Sequence, residues 1–225
     1  MYQVLRIKLQ NILRNGKRGI KLRVAKKYSH LNGEEYLIVH HPELLSEILG
    51  VIEGIDAEQY KTKVSKEKTR RGQMLYSPSE LNKAFKEKFE EMGWFEHKIN
   101  YFMTDNELIA RQTMTLEKED QKRIIDNNQL IAYPGKNQTD FVKDKVAIEV
   151  QFGKYAFVAY DLFVKHMAFY TRNEINVGVE ILPVKDMQKQ MSSGVGCYEG
   201  EVYNIYRQSR GTPAVPLFII GIDID

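Results

Sequence analysis

The chain has little cysteine and no long apolar run, and each shortage closes off a class of protein. Cys197 is the one cysteine among 225 residues, so neither a disulfide framework nor a zinc cluster can be built within one chain, and a reducing cytoplasm is the expected compartment. The longest apolar run, Val215 to Ile222, is broken by Pro216 and Gly221 and is far too short to span a bilayer. No membrane partner is expected. The histidines His30, His40, His41, His97 and His166 lack metalloprotease spacing, and Ser192-Ser193-Gly194 lacks the first glycine of a nucleophile elbow. With no Walker loop and no dinucleotide fingerprint, no nucleotide cofactor is implied.

Acid is missing altogether from residues 1–27, which carry nine Lys or Arg. The remainder holds 24 basic against 30 acidic residues, formally −6, although the whole chain is +3. Global charge therefore argues nothing about nucleic acid, and attraction to phosphate has to come from local patches. Two are present. One spans Lys61 to Arg71 and includes Lys68 and Arg70; the other is Arg207 with Arg210. A charge run on its own is more often a solvated face. In the N-terminal arm, Val4, Leu5, Leu9, Ile12 and Leu13 share one side of a helical projection. That pattern suits a membrane-surface helix, a presequence, a phosphate-binding arm or a simple extension, and it selects none of them.

What the chain does contain is enough apolar sequence, 43% of residues, for one domain with a full-sized core. Periodicity and punctuation order it. Ser77-Pro78-Ser79-Glu80 opens a helix with Leu81, Ala84, Phe85 and Phe89 on one face, closed by Gly93, and Trp94 to Met103 reads as a strand. Residues 105–131 are a helical excursion. Residues 156–170 predict a helix carrying Phe157, Tyr160, Phe163, Val164 and Met167. Val177 to Val184 predicts a buried strand, Glu199 to Arg207 a helix and Pro216 to Ile222 a last strand. The order is that of an α/β fold, a mixed sheet between helices.

The chemistry sits in NQTDFVKDKVAIEVQFGKYAF. Val146, Ile148, Val150 and Phe152 alternate with Ala147, Glu149 and Gln151, as a pleated strand requires, so Glu149 and Gln151 share a face. Asp140 lies nine residues before Glu149 across a short polar turn, and an antiparallel partner strand would set the two carboxylates side by side. Two hard oxygen ligands would then converge on one divalent cation, best matched by Mg²⁺, as a metal-dependent nuclease needs. Strands often carry merely solvated acids. What distinguishes these is a strand that reads as buried, where an acid and an amide need a partner to offset their desolvation.

These residues and the order of elements resemble the PD-(D/E)xK nuclease superfamily, and within it the type II restriction endonucleases of the BglII and BstYI kind. Segments YSHLNGEEY, SKEKTRRGQMLYSP, LNKAFKEKFEEMGW, NQTDFVKDKVAIEVQFGKYAFVAYDLFVKHMAFY, VGVEILP, MSSG and YEGEVYNIYRQSRGTPAVPL carry the resemblance, most closely to the BstYI-like branch, from Tyr28 nearly to the C-terminus. Residues 1–27 fall outside it as a basic extension, and 28–225 are expected to form one catalytic domain with a central mixed sheet flanked by helices.

The resemblance implies that Asp140, Glu149 and the carbonyl of Val150 bind Mg²⁺, with Gln151 standing where the superfamily usually has lysine. An amide neither accepts the proton of an attacking water nor carries charge, so Gln151 could only orient that water. Thr139 replaces the superfamily's proline. A fourth polar residue is expected at Glu96 or His97, with the choice open. Lys154 and the loop Ser192-Ser193-Gly194 match positions that approach the outer base pairs; lysine at 154 and serine at 193 resemble the version accepting either purine, R^GATCY rather than AGATCT, since lysine can donate to acceptors of either purine. Lys165, Lys68, Arg70, Arg207 and Arg210 are further expected DNA contacts. A palindromic target implies double-stranded DNA gripped by a homodimer, through the helix of Asp161, Lys165 and His166, with a cognate methyltransferase encoded nearby. Two rivals use the same fold: a structure-specific repair nuclease, and a DNA-binding module that has lost its chemistry.

Overall fold

The computed structural model describes residues 19–225, so the helical pattern of the N-terminal arm lies outside the described residues. The molecule is built on a mixed six-stranded sheet. Its strands are β1 (Leu22–His30), β4 (Phe95–Met103), β5 (Tyr133–Lys143), β6 (Val146–Val150), β7 (Val177–Pro183) and β8 (Leu217–Ile224); β2 (Lys63–Val64) and β3 (Met74–Leu75) form a separate ribbon. The order across the sheet is β1-β8-β7-β6-β5-β4. The pairs β6–β7 and β7–β8 are parallel and the others antiparallel.

Helices cover the sheet: α1 (Gly33–His40), α2 (Pro42–Glu53), α3 (Pro78–Glu91), α4 (Glu107–Thr113), α5 (Lys118–Asn127), α6 (Tyr155–Tyr160), α7 (His166–Thr171), α8 (Lys185–Gln188) and α9 (Tyr198–Tyr206). Every residue of β6 and β7 is buried, as expected of strands covered on both faces, which is why they read as nearly continuous runs of Val, Ile and Leu. None of the described helices is long and apolar enough to cross a membrane.

The structure sharpens three expectations. Strand β1 starts at Leu22 and pairs with β8, so Leu22 to Lys27 belong to the sheet and the extension boundary at 27/28 falls too late. Arg23 and the adjacent Lys26 and Lys27 disguise this strand, and they suit an exposed sheet edge, where charge discourages pairing with other chains. The helical excursion is two helices, α4 and α5. The helix after β6 is continuous through a π-turn, Asp161–Lys165, between α6 and α7. Its buried stripe is Val158, Asp161, Leu162, His166 and Phe169, whereas Phe157 is 59% and Val164 46% exposed. Apolar residues on both flanks made the period ambiguous, and the wider π-turn shifts the register that a uniform helix would have.

Candidate active site

The site begins with a two-residue hairpin turn. Asp144 and Lys145 both take positive φ, 47° and 63°, the conformation that matches the right-handed twist of flanking strands. The turn sets the register Lys143 to Val146, Val142 to Ala147 and Phe141 to Ile148, so the next pair out is Asp140 beside Glu149. There the β5–β6 ladder ends, and Asp140 Oδ2 accepts a hydrogen bond from the Val150 backbone amide at 3.2 Å. The two acids expected to pair are thereby brought to one point at the end of the hairpin.

Glu149 is fully buried; the Lys165 ammonium reaches its Oε1, and Oε2 has no hydrogen-bond partner among the described residues. Burial and then the nearby Asp140 carboxylate push its carboxyl up to about 8. Asp140 is raised as well by burial, against the pull of the Val150 amide and Lys165. Buried carboxylate oxygens without donors are costly unless a cation or proton meets them. The donor set therefore suits a hard divalent ion: two carboxylates and, lining the cleft beside Asp140, Val150. Among the described residues no three His, Cys, Asp or Glu side chains are grouped as a metal cluster, so backbone and water oxygens would complete the coordination.

Lys165, expected on the DNA-facing surface, is turned into this acidic cluster. Its Nζ lies 3.0 Å from Glu149 Oε1 and 2.6 Å from Asp161 Oδ1. Its side chain is only 14% exposed. Burial alone would depress its ammonium; the Glu149 and Asp161 carboxylates outweigh that and raise it above the ordinary lysine value. Gln151 is anchored to the same group, its Nε2 donating to Asp161 Oδ2.

A cleft of about 230 Å³ opens over Asp140, lined by Asn82, Lys83, Lys86, Glu96, Phe141 and Val150. The register of β4 against β5 slips between Phe95 and His97, leaving Glu96 in a bulge that aims it at the cleft, a common device beside active sites. His97 goes elsewhere: its Nε2 lies 3.2 Å from Glu174 Oε2 and its ring packs on Phe169. Of the two candidates for a fourth polar residue, Glu96 is the one in the cleft.

Lys154 and the Ser192–Gly194 loop are held together. Lys154 bridges Val195, and the Tyr155 amide donates to the Gly194 carbonyl at 2.8 Å. Both Lys154 and Ser193 are exposed. The Ser193 amide donates to Glu67 Oε1 at 2.8 Å, and Arg70 binds Glu67 and the Lys189 carbonyl. Arg70, expected to contact DNA, is thus committed to clamping this loop. Lys68 is exposed beside it; Arg207 and Arg210 are exposed at and beyond the end of α9 and do not line the cleft.

Sequence reasoning missed Lys83 and Lys86, whose only signal is their position opposite the Leu81, Ala84 and Phe85 stripe of α3. It also missed the site roles of Asp161 and Lys165, and Glu180, which pairs with Glu149 in register on β7. A buried strand read as uniformly apolar hides a single acid.

Comparison with known proteins places this geometry. A family model described as restriction endonuclease BglII/BglIII matches residues 25–222. A crystal structure of the restriction endonuclease BglII complexed with a DNA 16-mer superposes with a TM-score of 0.55 at 16% identity, over 90% of this chain and 76% of that one. Free BglII gives 0.50 at 15% identity, over 90% and 79%. These identities speak to the fold alone. No curated protein matches the sequence.

Proposed function

The chain belongs to the BglII/BglIII family of restriction endonucleases, which makes it a site-specific deoxyribonuclease, and we propose that it hydrolyses duplex DNA at a GATC-centred palindrome, R^GATCY, in a Mg²⁺-dependent reaction. The observation that carries this reading is that Asp140, which lines a lysine-bearing cleft, lies close enough to the buried Glu149 for the two carboxylates to act on each other. Asp140, Glu149 and the Val150 carbonyl would hold the Mg²⁺, which when bound polarises the scissile phosphate and lowers the pKa of water. The chain's own residues do the rest by positioning. Gln151 has its Nε2 committed to Asp161, which leaves Oε1 to accept a hydrogen bond and orient the attacking water. In-line attack expels the 3′ oxygen and keeps a 5′ phosphate, with a four-base 5′ GATC overhang.

Lys154 and Ser193 would read the outer base pair. Their support is the pairing of Lys154 with Val195, which puts both on one exposed ledge. A palindrome calls for a two-fold protein, so the active form is a homodimer. Exposed Phe157, Tyr160 and Val164 on the α6 to π-turn segment support the expectation that this helix meets its counterpart. Such an enzyme would work in a prokaryotic cytoplasm beside a methyltransferase that protects the host site.

Purified protein incubated with unmethylated plasmid, in Mg²⁺ and separately in EDTA, tests the reading once the fragment ends are sequenced. Discrete Mg²⁺-dependent ends carrying GATC overhangs are expected, and Asp140→Asn should abolish them while DNA binding in Ca²⁺ persists. Ends scattered over all sequences would instead indicate a structure-specific nuclease. Intact DNA under binding conditions would indicate a module without chemistry.

A further inference from the structure

Residue 151 is an amide, so the strand that carries Glu149 brings no cation to the site. The helix does. The π-turn Asp161–Lys165 carries Lys165 back over β6, where its Nζ bridges Glu149 Oε1 at 3.0 Å and Asp161 Oδ1 at 2.6 Å. The Glu149 and Asp161 side chains are 1% and 2% exposed, so this is a desolvated pairing rather than a surface one, and removing the Lys165 cation would leave two buried acids close to each other. Asp161 uses its second oxygen to accept from Gln151 Nε2. Glu149, Lys165, Asp161 and Gln151 therefore form one chain of contacts, linking an expected metal ligand to the amide expected to hold the attacking water. A π-turn within an otherwise regular helix costs backbone regularity and recurs where a helix must aim side chains at a site. Gly153 completes the arrangement: a Cβ there would come within 3.1 Å of Gln151 Oε1, so its absence keeps that oxygen uncrowded.

We infer that Lys165 is a positioning residue for cleavage, supplying from the helix the fixed positive charge that residue 151 lacks, and that it acts by holding Glu149 directly and Gln151 through Asp161. This rests on the nuclease reading above. Its ammonium also competes with any cation for Glu149, which gives a signature that a purely structural ion pair of the fold does not have. Without Lys165 the site should bind a metal more tightly and yet cut more slowly.

The test compares the full-length protein with Lys165→Met, Lys165→Arg and Asp161→Asn. Single-turnover cleavage in Mg²⁺, duplex binding in Ca²⁺ and Tb³⁺ affinity in the absence of DNA are measured for each, with thermal melting as the control for folding. For Lys165→Met the expected result is a cleavage rate lower by about 100-fold or more, the cost typical of a misplaced reacting group. DNA binding should stay within about threefold, and Tb³⁺ binding should tighten several-fold as the competing charge is lost. Lys165→Arg should regain at least about tenfold of the lost rate because it keeps the charge. Asp161→Asn should slow cleavage without abolishing DNA binding. The inference is overturned if Lys165→Met cuts at the parent rate. It is equally overturned if rate, DNA binding and melting temperature fall together in Lys165→Met while Lys165→Arg restores none of them. Should Lys165→Met not fold, the Arg and Asp161→Asn variants decide between the same alternatives. A parent protein that cuts no DNA removes the nuclease reading and this inference with it, a result distinct from a cutting parent with an indifferent Lys165.

Discussion

Glu180 stands beside Glu149 on the adjacent parallel strand, paired in register, with both of its carboxylate oxygens buried and without a hydrogen-bond partner among the described residues. Burial first, and then the charges of Asp161 and Glu149, hold its carboxyl well above the ordinary value of 4.5. His166, whose Nε2 lies 3.6 Å from Glu180 Oε2, offers no compensating charge, because burial and then Lys165 lower it to about 3. A folded acid raised above its unfolded value keeps its proton where the unfolded chain has already lost one. Its contribution is therefore intact below the unfolded value and is lost as pH rises above it.

Glu180→Gln, which cannot ionise, should escape that loss. In EDTA the variant should match the parent near pH 4 and become the more stable of the two as pH rises, by at most ~1.4 kcal/mol per pH unit. Denaturant melts across that range measure it. A stability difference that stays constant with pH would show that Glu180 does not hold a proton in the folded protein.

Glu67 should matter for discrimination more than for rate. It anchors the Ser193 amide and Arg70, and those two contacts, in that order, depress its carboxyl to about 2. A depressed acid contributes above its unfolded value and loses its hold only as pH falls through the folded one. The clamp is therefore constant at neutral pH. Glu67→Ala should lower the cleavage ratio between sites with preferred and disfavoured outer pairs by about tenfold, within the range that one base pair commands. Turnover on the preferred site should stay near the parent's. Competition cleavage of two labelled duplexes at neutral pH reads the ratio, and an unchanged value would detach the Ser193 loop from sequence reading.

The hairpin was legible because two independent signals agreed there. Strict alternation from Val146 to Phe152 set the faces, a short polar turn set the partner, and together they brought Asp140 to Glu149. Lys165 was not legible. A lysine on a helix with apolar residues on both flanks reads as solvated, and only the π-turn, which no residue pattern announced, swings it inward. Strand β1 was hidden for the opposite reason: its exposed edge carries Lys26 and Lys27, so local charge resembled the arm before it while the pairing that defines it, to β8, is almost the whole chain away. Glu96 could be narrowed only to itself or His97, because the choice depends on a bulge, a property of two strands jointly.

Glu47 ties the hairpin to the helical layer. On α2, its Oε2 accepts from Trp94 Nε1 at 2.7 Å and from Lys143 Nζ at 2.8 Å. Trp94 is fully buried, so Glu47→Ala leaves an indole N–H without its partner next to an ammonium that loses its counter-ion and keeps the Met92 carbonyl. The expected cost is about 1–3 kcal/mol in unfolding free energy. Glu47→Gln, which still accepts from Trp94, should cost less. Equal losses for the two would assign the effect to packing rather than to the hydrogen bond.

Lys83 and Lys86 are the cations best placed to meet a phosphate. They line the cleft with Asp140, and their ion pairs to Glu87 and Glu90, at 3.6 and 3.7 Å, are long and solvent-exposed. Exposed pairs of this kind hold little free energy, so an approaching phosphate can recruit both ammoniums at small cost. Each phosphate neutralised releases counterions and adds about 0.9 to the slope of log affinity against log salt. Replacing both lysines with alanine should therefore make that slope shallower by about 1.8 for duplex binding in Ca²⁺, with similar losses on cognate and unrelated sequences, because phosphate contacts carry no base information. Salt titrations on the two duplexes measure both quantities. An unaltered slope would place the DNA backbone elsewhere than over α3, and a loss confined to the cognate duplex would make these lysines readers of sequence rather than of phosphate.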